Sequence, residues 1–107
     1  MNKDAVAAVL KDAGVRLAPG VGIVSYASTC RFRGADVPHL VVQTDAGPVT
    51  VMILRHEHVR TVERFDEDGY TGTLLPAGPG SVAVVGRAPD PGLGAVATRV
   101  AGAIGWE

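Results

Sequence analysis

Two glycine-bearing reversals, Gly34-Ala35 and Asp45-Ala46-Gly47, constrain this chain more than any other feature. Each separates runs rich in β-branched residues by only two or three positions, so the runs must double back on each other as hairpins. Gly34-Ala35 reads as a two-residue turn with glycine first, the arrangement a type II′ turn favours. Gly47 supplies a residue able to adopt positive φ at the second reversal. The flanking strands are expected at 23–32, 37–44 and 49–55. The last contains Val49, Val51, Met52, Ile53 and Leu54, a nearly continuous apolar run that reads as a central strand covered, at least in part, on both faces.

Around this core the pattern changes period. From Asn2 to Ala13, the residues Val6, Val9, Leu10 and Ala13 follow helical spacing, with Asn2 as N-cap and Gly14 as the stop. After a polar stretch at 56–64, open between loop, helical turn and edge strand, Phe65 to Tyr70 reads as a turn. Further strands are expected at 71–75 and 81–85, separated by Gly78-Pro79-Gly80. Asp90-Pro91 is a helix start, and Leu93, Val96, Ala97, Val100, Ala101 and Ile104 form one apolar face. Gly94, Gly102 and Gly105 weaken that helix, and their small size points to close approach by the sheet or a neighbour. The expectation is one α+β domain, an antiparallel sheet of four to five strands flanked by an N-terminal and a C-terminal helix.

Composition supports a single core. A 107-residue chain fits one domain and buries roughly 65% of its unfolded surface, and 47% of these residues are hydrophobic. A formal net charge of -1 offers no basic face, which argues against nucleic acid as a partner. No apolar run approaches the ~20 residues that span a bilayer. The opening residues are amphipathic rather than signal-like.

Few side chains can carry chemistry. Cys30 is the single cysteine, which excludes an internal disulfide and a four-cysteine zinc site. If Gly34 and Ala35 form the loop, Arg33 faces Asp36, Phe32 faces Val37, Arg31 faces Pro38, and Cys30 faces His39. Facing residues share a side of the sheet at ~5 Å, so thiol and imidazole would touch, and an imidazolium would activate the thiol for redox, metal or nucleophilic chemistry. The plainer reading makes Cys30 a small buried hydrophobe and His39 a backbone-bonded side chain. His56 and His58 form a His-x-His pair able to recruit Zn²⁺ or Cu²⁺ beside a third ligand, against the simpler reading of a solvated loop.

The remaining motifs do not survive their context. Asp66-Glu67-Asp68-Gly69 lacks the spacing of a calcium loop, and Gly20-Val21-Gly22 precedes a strand rather than joining a strand to a helix. No phosphate loop is present, and Ser25, Ser28 and Ser81 sit in no nucleophile elbow. Arg55, Arg60 and Arg64 alternate with Glu57, Glu63 and Asp66, which describes a solvated face.

Tyr26-Ala27, Cys30, Phe32 and Gly34, then His39-Leu40-Val41-Val42 and Gly47-Pro48-Val49-Thr50-Val51, then Phe65-Asp66 with Tyr70-Thr71-Gly72, occur in one order. In this the chain resembles a bacterial family known as domain of unknown function 3379, from about Gly22 to the final helix. The resemblance implies the C-terminal, periplasmic part of a membrane-anchored protein with a short cytoplasmic region and one transmembrane helix. Some such proteins are encoded beside an alternative sigma factor, which suggests an anti-sigma-like context. It places Cys30 and His39 on motif positions and brings no enzymatic activity and no cofactor. The functional expectation is a non-enzymatic sensing or interaction domain that accepts a protein or peptide partner at an open sheet edge, with membrane contact only through a segment absent here. The alternative is a metal- or redox-responsive domain using Cys30 and His39.

Overall fold

The computed structural model describes residues 3–32 and 34–106. Helix α1 (Lys3–Asp12) is followed by β1 (Val15–Leu17), β2 (Ile23–Phe32), β3 (Ala35–Thr44), β4 (Gly47–Leu54), β5 (Glu63–Glu67), β6 (Tyr70–Ala77) and β7 (Gly80–Arg87). Helix α2 (Leu93–Ala103) and β8 (Ile104–Trp106) complete the chain. The α+β expectation holds. The main sheet, however, has six strands rather than four to five, all antiparallel, in the order β2-β3-β4-β7-β6-β5. A separate two-stranded ribbon pairs β1 with β8.

The additional strand of the main sheet is β5. The segment from Phe65 to Tyr70, expected as a turn, is instead the end of β5 and a tight reversal at Asp68 and Gly69, whose φ values are 52° and 80°. Positive φ at both central positions is the type I′ hairpin geometry that Asp-Gly favours, because its twist matches the flanking strands. Four of the five β5 residues are charged, which concealed the strand from an apolar-pattern reading.

The β2–β3 hairpin closes one residue earlier than expected. Its last pair is Phe32 with Ala35, and every facing pair moves by two. Cys30 therefore faces Val37, and His39 faces Ser28. Arg33, expected opposite Asp36, lies outside the described residues, as does the Asn2 cap. Pro38 supplies a physical reason for the register. Pairs in an antiparallel ladder alternate between hydrogen-bonded and non-hydrogen-bonded. Counted outward from a closing pair of Arg33 and Asp36, Pro38 would fall on a bonded pair with Arg31 and would have no N–H to give. In the observed register Pro38 faces Thr29 on a non-bonded pair, and Arg31 faces Asp36, with Nη1 3.4 Å from Oδ1.

Both helices pack on one face. Leu40, Val42, Val49, Val51, Ile53, Val82 and Val84 project into a core with Leu10 of α1 and Leu93, Ala97 and Val100 of α2. Complete burial of each such aliphatic side chain contributes roughly 1.5–3 kcal/mol. As expected, β4 is central, with neighbours on both sides. Helix α2 begins later than expected. Its N-cap is Gly92, without a side-chain cap, and the Asp90 carbonyl accepts from the Leu93 N–H at 3.2 Å. The expected close approach holds for Gly105, where a Cβ would stand 3.0 Å from the Arg16 guanidinium, although that glycine lies in β8 rather than in the helix; a Cβ on Gly102 would meet nothing within 4 Å, and one on Gly94 would meet only Arg64 at 3.7 Å.

Arg55 is a tether rather than part of a merely solvated face. Its Nη1 donates to the carbonyls of Ala13 at 3.3 Å and Gly14 at 2.7 Å, where the end of α1 leaves carbonyls unsatisfied, and its guanidinium lies 5.8 Å from the centroid of Trp106.

Candidate functional site

Side chains alternate across a sheet, so the residues between those of the helix-side core face the other way. Among the described residues no helix covers that second face. Its cover among them is the 55–62 segment, which seats Val59 against Val37, Leu54, Leu74 and Ala83 as a smaller cluster. Ser81, fully buried, fixes the segment: its hydroxyl donates to the Glu57 carbonyl at 2.6 Å and accepts from the Val59 N–H at 3.0 Å.

Beyond that patch the face is open. One row crosses all six strands through facing pairs: Tyr26, Val41, Thr50, Val85, Gly72 and Phe65. Gly72 is part of the design, since a Cβ there would collide with the Phe65 ring, which folds inward over the glycine. A bulge between Val24 and Tyr26 re-aims the start of β2, and Gln43 Nε2 donates to Ser25 Oγ at 2.7 Å to hold it. The two tyrosines and two phenylalanines, Tyr26, Phe32, Phe65 and Tyr70, all stand on this face by their pairing. Among the described residues the exposed large hydrophobic side chains are Ile23, Tyr26, Val62, Phe65 and Tyr70, between 43% and 71% accessible. Four of these lie on the open face, and Val62 lies on the segment leading into β5. Exposed apolar residues scattered singly need no explanation, but their collection on one face does.

Cys30 and His39 share this face but do not meet as expected. Each faces another residue, and they are diagonal neighbours, which stand roughly 7–8 Å apart in a sheet of this kind. His39 instead meets Tyr26, ring centroids 5.7 Å apart and planes at 68°, in an edge-to-face arrangement. Cys30 is half-buried and packs against the cluster under Val59. His56 and His58 are exposed on the covering segment. Among the described residues no group of three or more His, Cys, Asp or Glu side chains is placed to hold a metal.

Two hollows lie elsewhere. One of about 710 Å³ runs between α1 and residues 15–24, and another of about 410 Å³ lies between the β3–β4 turn and the start of α2. None of Cys30, His39, His56 and His58 lines either.

Sequence reading missed the open face as a unit. The signal was the alternation of Thr50 and Met52 with buried Val49, Val51 and Ile53, together with the absence of a third amphipathic helix to cover what that alternation exposes.

A family described as protein of unknown function (DUF3379) matches residues 1–104. The match includes the opening helix, which the motif resemblance did not reach. No match to a curated protein or to a solved structure was found.

Proposed function

We propose that this chain, which belongs to the DUF3379 family, is a non-enzymatic sensing or interaction domain that engages a protein partner through the helix-free face of its sheet. The observation that carries this reading is the concentration of exposed aromatic and aliphatic side chains on that face, Tyr26 and Phe65 at its two ends. Removing such a surface from water contributes roughly 25 cal/mol per Å² of apolar area, which favours association. Charge is sparse there, as in the centres of protein interfaces.

The family resemblance supports a setting on the periplasmic side of the inner membrane, in a membrane-anchored regulatory protein. Among the described residues no helix is long and apolar enough to cross a membrane, so this reading requires an anchoring helix elsewhere in the parent. A metal- or redox-responsive role for Cys30 and His39 has less support, because each faces a different residue across the hairpin.

The test is site-specific photocrosslinking in the parent protein in its own host, with the photoreactive residue at Tyr26, at Phe65, and at Ala95 on the exposed side of α2. The reading predicts a discrete adduct from Tyr26 and Phe65 that Val41→Glu abolishes. An identical pattern from Ala95, insensitive to Val41→Glu, refutes it.

A further inference from the structure

The row across the open face is close to self-complementary when reversed. Read from β2 it runs Tyr26, Val41, Thr50, Val85, Gly72, Phe65, with an aromatic ring at each end and small or β-branched residues between. A two-fold axis parallel to the strands lays such a row on its own reverse. Tyr26 and Val41 then meet the Phe65 ring of the second copy, which lies over its Gly72, and Thr50 meets Val85. We propose that the occupant of this face is a second copy of the same chain, packed sheet to sheet with β2 over β5. This rests on the reading of the face as a binding surface, and it commits that surface to self-association.

Charge selects the orientation. Glu63 and Glu67 of β5 and Arg87 of β7 are the Asp, Glu, Lys and Arg side chains that pairing places on this face among the described residues. The other two-fold, across the strands, stacks β5 on β5 and brings the glutamates together, an unfavourable juxtaposition. The axis parallel to the strands places them over β2, which carries no charge from Ile23 to Cys30.

The area is sufficient. Six strands at about 4.8 Å spacing and two to three side-chain rows at about 7 Å give a flat footprint of about 500 Å². Two copies then bury about 1,000 Å², the size at which specific association becomes credible, before the relief of the side chains is counted. Aligned packing of two twisted sheets is a common architecture.

Light scattering on the purified chain tests this directly. The expected mass is twice 11.0 kDa, falling to a single chain for Thr50→Arg, with unchanged circular dichroism showing that the variant still folds. Orientation is read by oxidation in a Cys30→Ser background. The Tyr26→Cys/Phe65→Cys pair forms covalent dimers with copper phenanthroline, and Tyr26→Cys alone does not. A single-chain mass at every concentration, or covalent dimers from Tyr26→Cys alone, overturns the proposal. If the chain is monomeric while Tyr26 still crosslinks to a different protein in the host, self-association falls and the interaction reading stands. If both measurements are negative, both fall.

Discussion

The Tyr26 ring meets the His39 imidazole edge to face, with centroids 5.7 Å apart, across the β2–β3 hairpin. This contact decides what His39 does. Its ring leans toward the aromatic end of the open face, while Cys30, two residues further along β2 than Ser28, packs with the apolar cluster beneath Val59. The imidazole and the thiol therefore belong to different neighbourhoods of one surface.

A consequence concerns thiol reactivity. Alkylation of Cys30 by iodoacetamide in the folded protein is expected to proceed at the same rate in wild type and His39→Ala, because facing contact is absent. Val59→Ala, which opens the cover over the cluster, is expected to accelerate it. A marked slowing in His39→Ala would mean that the two side chains do act together.

Ser81 is expected to be the most sensitive polar position. Ser81→Ala removes the hydrogen bond to the Glu57 carbonyl and the one from the buried Val59 N–H, at a cost of about 1–3 kcal/mol. Urea denaturation should show that loss, and hydrogen exchange should show the 55–62 segment opening before the rest of the sheet. Equal stability for Ser81→Ala would mean that the segment is held by something other than this hydroxyl.

The β5–β6 reversal gives a backbone test. Gly69→Val at a φ of 80° is expected to destabilise by about 1–2 kcal/mol, as left-handed conformations do for residues with a side chain. Asp68→Asn should be tolerated, since asparagine also accepts positive φ. Comparing the two urea midpoints separates turn conformation from the loss of one charge.

Much of the fold was legible in the sequence because its turns are short and its strands are regular. Strand β2 matches expectation end to end, and the central position of β4 followed from a nearly continuous apolar run. What escaped was governed by local backbone rules rather than hydropathy. The register turned on which pair Pro38 could occupy without an N–H, a backbone constraint that hydropathy does not carry. Strand β5 was hidden by its charges, although Asp68-Gly69 is the strongest short-range hairpin signal available. Strands β1 and β8, three residues each, are too short to show any period. The candidate site was legible only in part. Cys30 and His39 were correctly placed on one face, but the feature that distinguishes that face is the lack of a covering helix. That follows from both helices packing on the opposite side, which no single motif records.

The central claim is that the helix-free face is covered when the protein is at work. Hydroxyl-radical footprinting of the parent in living cells, compared with the purified chain at high dilution, measures this directly at Tyr26, Phe65 and Tyr70. The account predicts that these three rings are protected in cells while exposed positions on α2, such as Thr98 and Arg99, are oxidised equally in both samples. Equal oxidation of Tyr26 and Phe65 in the two samples would contradict it.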